Sequence, residues 1–445
     1  MNQLFGTDGI RAVAGKFPLD YSTVWKIGKS LVHLLENTCQ PAQILIGRDT
    51  RSSGEWIQKA LFQGIKESNG KPVSAGIIPT SAVSILSQRK SFCSGVMISA
   101  SHNPFEYNGI KIFSSNGLKI NQSTEQQLEK QITQTKESIT PVHFQPLVNE
   151  NLRTEYIRFL KSKFTVNSVH RDIKIVLDCA NGSSSSIAPH IFSELGFTSL
   201  SINSKPNGTN INSNCGSLYP ESLSKRVIQE GADLGIAFDG DSDRAIFVDE
   251  KGSILNGDHT LFILSSFMKE RGLLKSNKVI GTIISNLGLE IALKKNGLQL
   301  IRTNVGDKYV YEEMLKQGSN LGGEQSGHTI ILDECRTGDG ILTGLKTIQA
   351  MLSKNRPLSD LIKGFDEYPQ VQKNVRVSRK QDFALFPEIM DSIRKAEQEL
   401  GEKGRVNVRY SGTEPLARVM IEGDRKELIE NLAQMISQSI DKELK

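Results

Sequence analysis

Short β-branched runs alternate along this chain with longer stretches of helical spacing. Residues 44–46, 96–98, 173–177, 234–238 and 279–284 predict buried strands, each ending near Gly, Asp, Ser or Asn. Between them, Val24, Ile27, Leu31, Leu34 and Leu35 share one helical face, as do Leu261, Leu264, Phe267 and Met268. The alternation predicts an α/β architecture with mixed or mostly parallel sheets. Ligands in such folds gather beyond the carboxyl ends of strands, so those loops are where chemistry is expected. The C-terminal pattern differs: strands around 406–409 and 418–422 precede a helix over 426–440. The polar stretch 122–151, the turn-rich 249–258 and 364–369 mark breaks between units. No internal repeat is legible at the level of residues.

Composition narrows the class. The chain has 445 residues, 38% hydrophobic and 23% charged, the balance of a globular protein of about three domains. Its 54 basic and 49 acidic residues are spread without a block of like charge. A nucleic-acid binder would concentrate basic residues in a face or run, so no nucleic-acid partner is expected. Cys39, Cys93, Cys179, Cys215 and Cys335 lie far apart, with no Cys-x-x-Cys pair. They predict small buried thiols in a reducing compartment rather than a zinc or disulfide framework. Residues 1–11 hold Asp8 and two glycines and no signal-peptide core. Apolar runs such as 96–100 and 261–268 fall short of the ~18–20 residues of a membrane span. A cytoplasmic protein without membrane association is expected.

Four loops carry chemistry. Ser99-Ala100-Ser101-His102-Asn103-Pro104 follows the strand ending at Ile98, and Asn108-Gly109 turns the chain back through Lys111. A serine hydroxyl at a strand end, with an amine returned towards it, suits a nucleophile or a phosphorylation site. An ordinary Ser/Asn/Pro turn has about equal weight, and His102 reads as structural. Asp239-Gly240-Asp241-Ser242-Asp243-Arg244 places three carboxylates at alternating positions between two apolar runs. They would repel one another unless a cation neutralised them, and oxygen ligands suit Mg²⁺. An EF-hand reading fails because Arg244 occupies the sixth position and the flanks are strands. Gly322-Gly323-Glu324-Gln325-Ser326-Gly327-His328 could offer Glu324 to sugar hydroxyls, although a Gly-rich turn is as common. Arg409-Tyr410-Ser411-Gly412-Thr413-Glu414-Pro415, with Arg418, suits a phosphate cradle better than a plain polar hairpin. Neither a P-loop nor a dinucleotide fingerprint is present.

These four loops, in this order, resemble the α-D-phosphohexomutase family over the full chain. Supporting stretches are 5–11, 178–182, 207–212 with 215–217, 337–340 and 368–370, and they are most similar to its bacterial glucosamine-phosphate branch. The resemblance implies four domains around a central cleft: three related α/β domains and a smaller C-terminal α+β domain. Their expected bounds are 1–151 (phosphoserine loop), 152–255 (metal loop), 256–367 (sugar loop) and 368–445 (phosphate clamp). It implies exchange of glucosamine 6-phosphate and glucosamine 1-phosphate through a phosphoserine and a bisphosphate. Ser101 would carry the phosphoryl group and, with Asp239, Asp241 and Asp243, hold one Mg²⁺. Arg11 and Lys111 match positions near the phosphoserine, Lys111 as general acid/base, and His328 joins the catalytic set. Glu324, Ser326 and Arg244 match substrate contacts, and Arg409, Ser411, Gly412, Thr413 and Arg418 match the clamp. A glucosamine or glucose 1,6-bisphosphate activator, an activating kinase and a homodimer are compatible with the resemblance.

The sequence departs from the family pattern at Ala12 and Ser242, where glycine is frequent. Either would cost on the order of 1 kcal/mol if its backbone needs a positive φ. Nothing legible marks a pocket for a 2-amino group, so a phosphomannomutase or phosphoglucomutase acting on a neutral hexose is the alternative. An Asp-nucleophile phosphatase using Asp239 is remote, as is a non-catalytic sugar-phosphate or cation binder, since each leaves other loops unexplained.

Overall fold

The computed structural model describes all residues except 1–3, 7, 37–39, 90, 136–138, 143, 166–171 and 412–413. The chain folds as two compact units, Met1–Thr282 with Thr303–Ile362, and Ile283–Arg302 with Lys363–Lys445.

In the first unit, one sheet runs in the order Ile10–Val13, Tyr107–Ser114, Ser94–Ile98, Gln43–Arg48, Lys71–Ile77. The last three strands are parallel, and Tyr107–Ser114 returns antiparallel beside Ser94–Ile98. Ser94–Ile98 is buried at every position, which is why it reads as an apolar run and not as an alternation. The helix Tyr21–Leu35 starts where the Asp20 carboxylate accepts from the Thr23 N–H at 3.0 Å. It crosses the helix Ser53–Glu67 at backbone contact, because a Cβ at Gly64 would lie 2.1 Å from the Trp25 carbonyl oxygen. Gln122–Gln134, read from sequence as part of a break, is instead a helix capped by Asn121. Only its Leu128 and Ile132 are buried, and they join this domain's core.

A second sheet repeats the arrangement: Ile254–Leu255, Ala245–Asp249, Leu234–Phe238, Lys174–Asp178, Thr198–Ile202. Again three strands are parallel and one hairpin partner returns antiparallel. The expected 173–177 strand begins one residue later, and the expected 279–284 strand is Lys278–Thr282. Lys278–Thr282 lies parallel to Leu321–Gly323, which pairs antiparallel with Thr329–Ile331. Three hairpins of one design therefore carry the serine, metal and sugar loops at equivalent places.

The second unit contains the antiparallel sheet Gln370–Arg376, Leu416–Gly423, Gly404–Tyr410, covered by helices Pro387–Leu400 and Lys426–Leu444. The helix Leu287–Lys295 belongs to this unit, and the Asn286 side chain bonds both the N–H and the carbonyl of Tyr368, at 2.9 and 3.0 Å.

Among the described residues no helix is long and apolar enough to cross a membrane. Cys179, Cys215 and Cys335 are free and buried, and burial pushes the last two up to about 12. Cys93 is disulfide-bonded, which corrects the expectation of five separate thiols; Cys39 lies outside the described residues.

Candidate active site

Ser101 sits just beyond Ser94–Ile98, 2% exposed, with φ at 51°. The left-handed region costs a serine on the order of 1–2 kcal/mol, so surrounding contacts must hold it there. Its N–H donates to Ser99 Oγ at 2.9 Å, and its Oγ donates to Asp239 Oδ2 at 2.5 Å. His102 Nδ1 is 3.3 Å from Ser101 Oγ. Burial, and then the charges of Arg244 and Arg11, push His102 down to about 3, so its ring is neutral at physiological pH.

Asp239, Asp241 and Asp243 each place a carboxylate oxygen within 4.8 Å of the others, and all three are buried. Burial, reinforced by the charges of Asp243 and Asp241, holds Asp239 well above the usual carboxylate range. Burial acts the same way on Asp241, but Lys111 and a hydrogen bond from Thr80 outweigh it and hold Asp241 low. Asp241 Oδ1 and Asp243 Oδ1 are buried without a hydrogen-bond partner among the described residues. Unpaired carboxylate oxygens are expensive in a protein interior. Three converging hard oxygens fit a divalent cation, so this triad could hold a metal beside the Ser101 oxygen.

Ser242 has φ at 59°, so the departure from glycine there does carry left-handed strain. Its hydroxyl lies 3.0 Å from Ser183 Oγ, a contact glycine would lack. Ala12 lies within the strand Ile10–Val13 and carries no such strain.

Lys111 is 2% exposed, its Nζ lying 3.0 Å from Asp241 Oδ2, 3.2 Å from Asp8 Oδ2 and 3.3 Å from Asp243 Oδ2. Burial disfavours its charge, yet Asp241, Asp8 and Asp243 raise it well above the ordinary lysine value. Arg11 donates to Asp8 Oδ2 at 2.8 Å and reaches Asn103 Oδ1 at 3.5 Å. Lys119 bridges Asp8 and Asp307.

On the sugar loop, Glu324 is buried and its Oε1 accepts from the Gly306 N–H at 2.9 Å; Ser326 is half-buried. His328 is buried, both its ring nitrogens lack a hydrogen-bond partner among the described residues, and its Nε2 lies 3.9 Å from Asp307. Arg244 forms a β-bridge with His328, and its N–H donates to Asp239 Oδ1 at 3.2 Å. The first unit thus links Ser101, the triad, Lys111, Arg11, Arg244 and His328 through a continuous set of contacts.

In the second unit, Arg409 and Arg418 face each other across neighbouring strands. Like charges so placed repel unless an anion lies between them, and after burial it is the Arg418 charge that lowers Arg409. Arg418 Nη2 lies 3.4 Å from Ser411 Oγ and 3.1 Å from a Glu414 oxygen, while its Nε has no hydrogen-bond partner among the described residues. Gly412 and Thr413, also expected in this cradle, lie outside the described residues.

Asp8, Thr80, Lys119 and Asp307 lie outside the four loops yet border the site. Thr80 donates to Asp241 Oδ2 at 2.6 Å and, through its N–H, to the Asp241 carbonyl at 3.0 Å. Its one legible signal was its place just after the strand Lys71–Ile77.

Models of the phosphoglucomutase/phosphomannomutase family match four successive regions. These are alpha/beta/alpha domain I over residues 2–139, domain II over 154–252, domain III over 256–368 and the C-terminal domain over 373–439. The phosphoglucosamine mutase of Koribacter versatilis is 44% identical, covering 99% of this chain and 97% of the relative. That of Geobacter sp. (strain M21) is also 44% identical, covering 100% and 99%. A phosphoglucomutase/phosphomannomutase family protein from Burkholderia thailandensis shares the fold with a TM-score of 0.81 at 20% identity, covering 99% of this chain and 97% of that one. Aspergillus fumigatus N-acetylphosphoglucosamine mutase, in complex with GlcNAc-6P and magnesium, aligns with a TM-score of 0.71 at 17% identity, covering 99% and 95%. With matches to all four domains and relatives similar over the whole length, the chain belongs to the phosphoglucomutase/phosphomannomutase family, the α-D-phosphohexomutases.

Proposed function

We propose that this chain interconverts glucosamine 6-phosphate and glucosamine 1-phosphate, feeding UDP-N-acetylglucosamine and cell-wall synthesis. The observation that carries the reaction type is the Ser101 hydroxyl 2.5 Å from a buried, under-neutralised carboxylate triad. The choice of an amino sugar rests on phosphoglucosamine mutases 42% to 45% identical over nearly the whole chain. Domains at 1–151, 152–255, 256–367 and 368–445 would each bring one of the four loops.

Asp239, Asp241 and Asp243, with an oxygen on Ser101, would hold one Mg²⁺, which supplies positive charge against the oxygens of the transferring phosphoryl group. Ser101 is charged as a phosphate ester, for which a glucosamine or glucose 1,6-bisphosphate is the donor. The free hydroxyl of the monophosphate then attacks phosphorus; the bond from phosphorus to the sugar oxygen forms as the bond to Ser101 Oγ breaks. Lys111, held protonated among three carboxylates, gives its proton to Oγ, and the proton released by the sugar hydroxyl restores it. Arg11 steadies the phosphoryl oxygens. Glu324, Ser326 and Arg244 take the sugar, and His328, with both ring nitrogens unpartnered in hydrogen bonding, is placed to bond it or relay the proton. The bisphosphate turns and returns its other phosphoryl group to Ser101. An activating kinase and a homodimer, both taken from the resemblance, complete the reading, with cytoplasmic residence as expected from the residues themselves.

Arg409, Ser411 and Arg418, with Gly412 and Thr413, grip the phosphate that is not reacting. Arg418→Ala removes a charge-assisted contact of about 1.5–3 kcal/mol. It should raise KM for both monophosphates by a similar factor of roughly tenfold or more, with kcat less affected. Impairment toward only one monophosphate would remove the clamp role.

Comparing kcat/KM for glucosamine 1-phosphate and glucose 1-phosphate tests the substrate. Preference for the amino sugar is expected; equal or better use of glucose or mannose 1-phosphate would transfer the reading to a neutral hexose. The Asp-nucleophile alternative is disfavoured because Asp239 already accepts from Ser101 on one oxygen and from the Arg244 N–H on the other.

A further inference from the structure

The carbonyl oxygens of Ser101 and Asn103 are each held by the same two side chains. Arg51 Nη2 donates to Ser101 O at 2.9 Å and to Asn103 O at 2.8 Å. Asn212 Nδ2 donates to the same oxygens at 2.9 and 3.0 Å. The Arg51 side chain is completely buried. Its Nη1 donates to the carbonyls of Pro104 and Tyr107, and its Nε donates to Asp49 Oδ2 at 2.9 Å. All five guanidinium hydrogens are therefore used, three of them on the loop that carries Ser101 and one on Tyr107, where the returning strand begins. Asp49 Oδ2 also accepts from Ser99 Oγ at 2.6 Å, and Ser99 Oγ in turn accepts from the Ser101 N–H. The metal loop closes the remaining side: a Cβ at Gly240 would stand 2.6 Å from Ser101 O and 2.9 Å from Asn212 Nδ2.

We infer that Arg51 and Asn212 are positioning residues that pin the left-handed Ser101 peptide, so that Oγ stays in line for phosphoryl transfer. A residue with φ at 51° persists only where its surroundings over-determine it. Here one clamp comes from the domain of the serine and the other from the domain of the metal triad. Asn212 reaches across from the second domain, itself at φ 57°, a conformation asparagine tolerates. The pair thus fixes the serine relative to the triad as well as within its own loop. A displacement of about 1 Å at a reacting atom can cost on the order of 10²-fold in rate, and neither side chain is assigned to grip the substrate.

The inference rests on the mutase reading, and the experiment separates the two. Full-length Asn212→Gly and Asn212→Asp both accept the left-handed backbone; the first deletes the donor, the second turns an acceptor toward two carbonyls. Each should lower kcat about 10- to 100-fold, leaving KM for both monophosphates within about twofold, as a pure positioning effect requires. Single-turnover transfer from phosphorylated Ser101 should slow by the same factor. Arg51→Lys, which keeps the charge and loses the fork, should show the same split between kcat and KM. Asn212 variants with wild-type kcat, or with raised KM and unchanged kcat, would overturn the positioning role. A wild-type protein that turned over no hexose monophosphate would overturn the mutase reading instead.

Discussion

Ser101→Ala is expected to abolish mutase turnover, by about 10⁴-fold or more, while leaving the fold intact. Removing a nucleophile removes the whole double transfer, and other groups cannot compensate. The side chain is small, and the alanine loses one hydrogen bond to Asp239 and the contact with His102. The backbone bonds of residue 101 are untouched, so thermal unfolding should change little. The wild-type protein should carry one phosphate on this serine, stable to hydroxylamine by intact-mass measurement. Loss of that phosphate on hydroxylamine treatment would identify an acyl phosphate and move the nucleophile to an aspartate.

The second large effect is at the triad. Chelation should bring turnover down by at least 10²- to 10³-fold, and Mg²⁺ should restore it, because charge neutralisation at a transferring phosphoryl group supplies several kcal/mol. Without a cation the site carries Asp239 beside Asp241 and Asp243 in a buried space, with Lys111 and Arg244 against them. Added Mg²⁺ should therefore stabilise the fold as well, by about 2.7 kcal/mol at a concentration 100 times its Kd. Asp241→Asn keeps the shape and removes one charge. It should weaken Mg²⁺ binding and turnover together while reducing the mutual repulsion of the metal-free site. Full activity in both the chelated protein and Asp241→Asn would show that the triad serves the fold alone.

Much of this site was legible because its chemistry is written in contiguous loops. The carboxylates of 239, 241 and 243 fall on one short turn after an unbroken apolar strand, and Ser101 ends another. Burial on both faces makes such strands easy to recognise, and the end of a parallel strand is where ligands collect. The helix Gln122–Gln134 is illegible for the opposite reason: it buries only Leu128 and Ile132, so its composition resembles a linker. The repetition of three hairpins escaped as well. It lies in strand order and pairing, which very different side chains satisfy equally.

By itself, then, the sequence determined the class of fold, the place of the Ser101 loop at a strand end, the spacing of the acidic triad, and the run of Arg, Ser and Gly that is expected to cradle phosphate. Each of these depends on neighbours within a few positions, where spacing translates directly into geometry. Only the tertiary structure decided what holds those groups. Asn212 meets Ser101 across 111 positions, Lys111 meets Asp241 across 130, and Thr80 meets Asp241 across 161. Arg51 and Asn212 are ordinary polar residues in their own loops. Their value comes from packing distant loops together until two carbonyl oxygens of one strained turn receive four hydrogen bonds from two side chains. Such convergence is a property of the folded chain, because in a low-dielectric interior every buried polar atom must find its partner wherever the fold brings one.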